Sequence, residues 1–485
     1  MYYFLGGEIM LTYSFSDIGN DSLYEQLYKL IKNDILNNVL PAGYKLPSKR
    51  NFAKNLNIST ITIENAYAQL MAEGYIYSIP KKGYYVSEIS EIFTEEPDCN
   101  KRNEVNCKRD FLCGDSYSAT DYIDLSNNHT NPDNFPFTIW AKLVRETLSD
   151  NREKLMTSSP STGLYELRVA IANHLKAYRD MHVSPDQIII GAGTEYLYNI
   201  IIQLLGRERI YAVEDPGYKK ISQIYKCNQV SCRFISMQHN GINVDELEKS
   251  GADVIHLSPS HHFPTGIVTP ISKRYELLGW AAKASNQQRY IIEDDYDSEF
   301  RLMGKPIPSL QGIDVMERVI YMNSFSKSLS STIRISYMVL PTHLMELYNK
   351  TMSFYACTVS NFEQYTLARF INEGYFEKHI NRMRNFYRNL RDSFIESIRQ
   401  SSLSELCTIS EADSGLHFLL TLDTKLSDSR LKELLKNNNV IISCISDYYH
   451  QPDDAPAHVI IANYSGLQEK DFKPIINALS MALTK

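Results

Sequence analysis

Cysteine is scarce in this chain, eight in 485 residues, and scattered rather than paired. Positions such as 99, 107, 113, 227 and 232 show neither the Cys/His spacing of a structural metal site nor a disulfide framework. We read them as free thiols of a reducing cytoplasm. No apolar run approaches the roughly 20 residues that span a bilayer, so no membrane role is expected. The opening MYYFLGGEIMLTYS lacks a basic flank and a small-residue cleavage site, so no signal peptide is expected, and Met10 is an alternative start. An excess of basic charge is missing too: the formal net charge is −7. Whole-surface attraction to nucleic acid is thereby excluded, and any DNA contact must be local. What remains is an ordinary globular composition, long enough for roughly two to four domains.

The first patterned stretch is DSLYEQLYKLIKNDILNNVL. Leu23, Leu27, Leu30, Ile31 and Ile35 recur at helical spacing, with Asp21 or Ser22 as the cap. PAGYKLPS breaks this helix. KRNFAKNLNI then reads as a short helix, followed by a turn at Asn57–Ser59. STITIENAYAQLMAEG reads as a further helix, capped by Ser59 or Thr60 and stopped by Gly74. YIYSIPKKGYYVSE alternates as two short strands around a turn at Pro80–Gly83. Helix, helix-turn-helix and hairpin, in that order, make a winged helix-turn-helix.

Within residues 44–87 the basic residues are Lys45, Lys49, Arg50, Lys54, Lys81 and Lys82, against the acids Glu64 and Glu73. They stand before and along the first short helix and at the wing tip, where backbone phosphates are met. The same pattern also suits a solvated protein-interaction module. LPSKRNFAKNLNISTITIENAYAQLMAEGYIYSIPKKGYYV resembles the GntR-type DNA-binding domain. The resemblance puts Ser48, Arg50, Ser59 and Thr62 on DNA-contacting positions and Lys81, Lys82 and Gly83 on the wing. It also exposes a departure, since the family often has arginine after the serine of the turn and this chain has Thr60.

The expected organisation is a head at 11–88, a linker at 89–121 whose sequence is charged, polar and aperiodic, and a body at 122–485. The body alternates apolar strands with helices: QIIIGAG, RIYAVED, DVIHLSP, RYIIEDD, RVIYMNS and SYMVLP. That alternation predicts an α/β fold with a mostly parallel sheet covered on both faces. Ligands of such sheets gather beyond the carboxyl ends of the strands. The tails there are GAGTEY (191–196), EDPGY (214–218), SPSHHFPTG (258–266), EDDYDSEF (293–300) and SFSK (324–327).

Taken together, the tails contain what pyridoxal phosphate requires. Lys327 has an amine for its aldehyde. Gly193 and Thr194 open a helical run whose backbone N–H groups can hold a phosphate. Ser324, Ser326 and Arg334 add hydroxyls and a guanidinium for phosphate oxygens. Asp294 can keep the ring nitrogen protonated, Tyr296 can reach the phenolic oxygen, and Tyr218 can stack on the ring. No metal ligand set is present. Each piece alone has a plainer reading: S-x-S-K as a surface turn, GAGT as a helix cap, DDYD as a solvated acidic loop.

VEDPGY, SHHFPTG, IIEDDYDSEFR, SFSKSL, SYMVLP, SNFEQ and HINRMRNFYRNLRD resemble the aminotransferase-like domain of MocR-type regulators, GntR-family transcription factors fused to a fold-type I domain. The resemblance covers nearly the whole chain. It implies Lys327 as the Schiff-base lysine, Asp294 as the ring-nitrogen partner, Arg334 and Ser324 as the phosphate grip, and a C-terminal small α+β domain. It further implies operator DNA as a partner and a homodimer, with a domain-swapped head-to-tail arrangement possible.

Three contacts of working aminotransferases are missing. Phe263 stands where an asparagine bonds the phenolic oxygen, and Ser158 where a tyrosine reaches the partner subunit's phosphate site. No arginine occurs from Leu431 to Lys485, where one clamps the substrate carboxylate; the matching strand HVIIANYS has Ile461 or a neighbour. His417, His450, His458 and Lys220 are the candidate substitutes. The expectation is a cytoplasmic transcription regulator without a catalytic set of its own, responding to the cofactor itself. The alternatives are an amine or amino-acid (GABA-like) sensor and a genuine aminotransferase.

Overall fold

Leu27, Ile31 and Ile35 form the buried stripe of helix α1 (Leu23–Leu36), while Leu23, in the first turn, stays exposed. The helix begins after Ser22, whose backbone N–H donates to Glu25 Oε2 at 2.9 Å. Ser48 caps α2 (Lys49–Leu56) by accepting from the Asn51 N–H, and Asn57, at φ 53°, ends it in the left-handed conformation. Ser59 caps α3 (Thr60–Ala72) by accepting from the Thr62 N–H at 3.1 Å. Gly74, at φ 79°, then redirects the chain into the antiparallel hairpin β1 (Ile76–Ile79) and β2 (Gly83–Val86). Leu27, Ile31, Phe52, Ile63, Tyr67 and Val86 form the core of this winged helix-turn-helix. Tyr67 ties α3 to the preceding loop by donating to the Pro47 carbonyl at 3.0 Å.

The computed structural model describes residues 3–5, 8–13, 15, 22–88, 122–126, 131–283, 287–302, 307–413 and 415–483. The stretch 89–121 expected as a linker, with Cys99, Cys107 and Cys113, lies outside them. The chain divides into two units, Met1–Tyr117 and Ser118–Lys485. Among the described residues no helix is long and apolar enough to cross a membrane, and no cluster of His, Cys, Asp or Glu is placed to hold a metal.

The second unit is built on an eight-stranded sheet. Its strands are β3 (Ile188–Gly191), β4 (Ile210–Asp215), β5 (Ser231–Gln238), β6 (Gly241–Ile242), β7 (Val254–Leu257), β8 (Tyr290–Asp294), β9 (Val319–Ser324) and β10 (Ser336–Val339). Their spatial order is β3-β10-β9-β8-β7-β4-β5-β6, with β10 antiparallel to both its neighbours and β6 antiparallel to β5. The strands β3, β4, β5, β7, β8 and β9 therefore run in one direction and end on one edge. Continuous burial along β3, β7, β8, β9 and β10 matches a sheet covered on both faces. The sequence reading missed β5, whose side chains alternate between exposed and covered at the sheet margin.

A smaller C-terminal part carries the antiparallel strands β11 (Cys407–Ser410), β12 (His417–Leu422) and β13 (Val459–Asn463). Helices Asp428–Lys436 and Glu469–Leu483 complete it. Ile123–Asp124 pairs in parallel with Val440–Ile441, so the start of this unit is stitched to its end.

Candidate functional site

All nine candidate cofactor residues line one cavity of about 660 Å³ at the carboxyl edge of the sheet: Gly193, Thr194, Tyr218, Asp294, Tyr296, Ser324, Ser326, Lys327 and Arg334. Strand direction brings them together. Each follows or ends a strand of the common direction, except Arg334, which sits two residues before β10 begins. The acidic tail after β8 is no solvated loop: Glu293, Asp294, Asp295, Asp297 and Glu299 are all buried.

Lys327 stands on the four-residue helix Phe325–Ser328 directly after β9. Burial pulls its amine from 10.5 down to about 8, with Asp297 acting in the opposite sense. Asp294 ends β8. Its Oδ2 accepts from the Tyr198 hydroxyl at 2.6 Å and lies 3.7 Å from His256 Nε2. His256 Nδ1 in turn meets the Tyr225 hydroxyl at 2.8 Å. The other oxygen, Oδ1, is buried and has no hydrogen-bond partner among the described residues. A buried carboxylate oxygen without a donor is costly, and a protonated ring nitrogen would supply one.

The phosphate side is shaped by Gly193 and the helix Thr194–Leu205, whose first residue is Thr194. Gly193 adopts φ +91°, and a Cβ there would collide with the Arg334 guanidinium. Ser324 Oγ accepts from the Ser326 N–H at 3.0 Å, which folds the serine turn beneath Lys327. Arg334 itself lies at φ 53° and donates to Glu195 Oε2 at 2.6 Å. Glu195 is also held by Lys220. Burial opposes its charged form, yet hydrogen bonds from Lys220, its own backbone and Arg334 bring its carboxyl down to about 2. The donor set, the orphaned Asp294 oxygen and the glycine cradle together fit pyridoxal phosphate.

Tyr218 is half exposed at the mouth, its ring edge-on to Phe263 with centroids 6.1 Å apart. The Tyr296 hydroxyl lies 3.3 Å from His261 Nδ1, which also meets Asp297 Oδ2 at 2.7 Å. Glu195, Tyr198, Glu214 and His256 line the cavity as well and were not foreseen. A signal existed for two of them: Tyr198 is one helical turn after Thr194, and His256 is a lone polar residue in the apolar run VIHL. Burial raises the Glu214 carboxyl to about 8 and lowers the neighbouring His262 to about 3.

The strand matched in sequence to the substrate clamp, β13, is buried and apolar around Ile461. Ile461 pairs with Leu419 across β12 and β13 and belongs to a cluster with Ile445 and Val459. Phe263, Tyr448 and Tyr449 pack against that cluster. His417 is buried, with Nε2 3.1 Å from the Pro264 carbonyl, and burial holds its protonation well below the usual histidine range. It is a neutral core histidine. His458 sits beside Asp428, 3.6 Å from it, and is not part of the cavity lining, whereas His450 and Lys220 are. Ser158 is exposed.

In the head, Arg50, Lys81 and Lys82 are exposed, and Gly83 takes φ +123° at the end of the wing turn. Ser48 and Ser59 prove to be the caps of α2 and α3, and Ser59 Oγ also lies 2.8 Å from Thr62 Oγ1. A capping hydroxyl accepts from the backbone and keeps its own O–H to donate, which is compatible with a phosphate contact at a helix start.

Comparison with known proteins agrees with this architecture. Residues 23–86 match the family model "Bacterial regulatory proteins, gntR family". The chain is 36% identical over 463 residues to the uncharacterized HTH-type transcriptional regulator YdeL of Bacillus subtilis, covering 95% of this chain and 96% of that protein. It is 30% identical over 475 residues to the probable rhizopine catabolism regulatory protein MocR of Rhizobium meliloti, covering 95% and 93%. It is 26% identical over 404 residues to the pyridoxine biosynthesis transcriptional regulator PdxR of Corynebacterium glutamicum, covering 83% and 84%. Among solved structures, the multiple substrate aminotransferase of Thermococcus profundus superposes with a TM-score of 0.66 at 23% identity, over 75% of this chain and 92% of that one. That likeness shows the fold. A gntR-type head joined to an aminotransferase-like body, with full-length similarity to named regulators, places this chain in the MocR-type family of transcriptional regulators.

Proposed function

We propose that this regulator binds pyridoxal 5'-phosphate in its aminotransferase-like unit and reports the supply of that cofactor to operator DNA held by its head. One observation supports cofactor sensing over amino-acid turnover: the cofactor contacts are assembled, while the carboxylate clamp is replaced by the apolar cluster around Ile461. Phe263, which lines the cavity, gives an amino acid's carboxylate no charge partner, and Ile461 and the neutral His417 are buried next to it. Those groups give a carboxylate none of the charge-assisted hydrogen bonds that a bidentate arginine would. Lys220, one of the cations lining the cavity, is engaged by Glu195.

When bound, the cofactor supplies an aldehyde for the lysine and an electron-withdrawing ring. The chain's own residues do the rest. Lys327 presents an amine that burial keeps partly neutral near physiological pH. Asp294, fixed by Tyr198, offers its free oxygen to the ring nitrogen. Thr194, Ser324, Ser326 and Arg334 would grip the phosphate, and Tyr218 would flank the ring. Arg334 and Tyr218 line the cavity yet stay about half exposed, 51% and 49%, which favours a homodimer whose second copy covers them. The reading carries a cytoplasmic location with it.

The test is operator binding with and without pyridoxal phosphate, run beside half-transamination with a panel of amino acids that includes GABA. Affinity that shifts with the cofactor and slow transamination throughout are expected. Rapid conversion by one amino acid would restore an enzyme. Affinity that ignores the cofactor but shifts with GABA would favour the amine sensor, a reading supported by the reach of the cavity out to Lys220 and His450.

A further inference from the structure

Helix α3 is the second helix of the helix-turn-helix, the one that enters the major groove. Its buried side consists of Ile63, Ala66, Tyr67 and Leu70. Ile61, Glu64, Asn65 and Ala68 lie at helical spacing on the opposite side and are exposed. The helix sequence TITIENAYAQLMA contains no lysine or arginine. The head's cations lie elsewhere, including Lys45 before α2, Lys49, Arg50 and Lys54 on α2, and Lys81 and Lys82 on the wing.

This division separates positioning from reading. Cations off the helix can take phosphates, but the commonest specific contact, a basic fork on guanine O6 and N7, is not available from α3. Its one acidic side chain, Glu64, is neutralised by Lys49 at 2.6 Å. What α3 offers to a base edge in its first turn, beside the hydroxyls of Ser59 and Thr60, is Ile61, 69% exposed. An isolated apolar side chain on a surface usually means nothing. Here it stands where a helix-turn-helix makes its base contacts, on a helix without cations. In the major groove an aliphatic side chain has one complement, the 5-methyl group of thymine.

We infer that Ile61 is a specificity-determining residue that reads a thymine methyl in each half-site, so that A·T pairs rather than guanines specify this contact. The test uses the full-length protein and duplexes enriched from a randomised double-stranded library. Each thymine of the enriched site is replaced in turn by deoxyuridine, which keeps the pairing and removes only the methyl. One position per half-site should weaken wild-type binding about three- to fivefold, the worth of one buried methyl. Ile61→Ala should be insensitive at that position, whereas Arg50→Ala should bind more weakly to every duplex and keep the uracil penalty. If Ile61→Ala enriches no sequence, Ile61→Val carries the test, and its uracil penalty should fall below that of the wild type. Three results overturn the assignment: no uracil position affecting the wild type, a full penalty retained in Ile61→Ala, or a full penalty retained in Ile61→Val.

Discussion

Capture of pyridoxal phosphate should follow the protonation of Lys327. Only the neutral amine has the lone pair that adds to an aldehyde. An ordinary lysine is neutral in about one molecule in a thousand at pH 7.5, whereas a group titrating at about 8 is neutral in about a quarter. Burial is the dominant cause of that depression, and the Asp297 carboxylate works against it by favouring the charged form. The capture rate of the cofactor-free protein should therefore rise through pH 8 and level off above about pH 9. Asp297→Asn removes the opposing charge and leaves burial unbalanced, so the midpoint should move to lower pH. Rapid-mixing absorbance spectroscopy from pH 6 to pH 10.5 measures both. A wild-type midpoint at or above 10, or an upward shift in Asp297→Asn, would refute the reasoning.

Three further outcomes are expected. Lys327→Ala should lose the absorbance of the lysine-bound cofactor, and borohydride should fix the cofactor to Lys327 in the wild type; an unchanged spectrum in the variant rejects the site. Arg50→Ala should bind DNA more weakly across all sequences and lower the salt slope by about one, since a phosphate contact releases counterions. A slope equal to that of the wild type would remove Arg50 from the interface. Sedimentation of the cofactor-loaded protein at micromolar concentration should give a dimer, and a monomer there would contradict the half-exposed Tyr218 and Arg334 being completed by a second copy.

Legibility in the sequence followed the range of the forces involved. Caps, breakers and apolar spacing act within a few residues, so Ser59, Gly74 and the Pro80–Gly83 turn located the head's elements. Parallel strands with both faces covered leave continuous apolar runs, and their tails marked Lys327, Asp294 and Gly193 in advance. The strand Ser231–Gln238 escaped because its margin position leaves an alternating pattern in which Cys232 and Phe234 are only partly covered. Glu195 escaped for another reason: nothing in GAGTEY says that its carboxylate will bridge Arg334 and Lys220, which are 139 and 25 residues away. Such pairings exist only after the sheet has assembled.

Holding a cofactor and turning over a substrate rest on different residues in this fold, and on the proposed reading this chain separates them. Imine chemistry needs Lys327, and a grip on ring and phosphate needs Asp294, Thr194, the serine turn and Arg334. Productive transamination also needs the substrate's Cα–H bond held perpendicular to the ring, which a carboxylate clamp secures by orientation rather than by reactivity. Replacing that clamp with Ile461 in an apolar cluster leaves the first set untouched. A single Ile461→Arg change would not restore the second, because the new guanidinium would sit among Leu419, Ile445 and Val459 with no carboxylate beside it and would cost stability until a substrate arrived. Because Phe263 and Tyr448 pack against this cluster, gain of a carboxylate clamp there would be a change of several residues. On the proposed reading, such a protein would keep a cofactor site whose occupancy, not turnover, carries the signal.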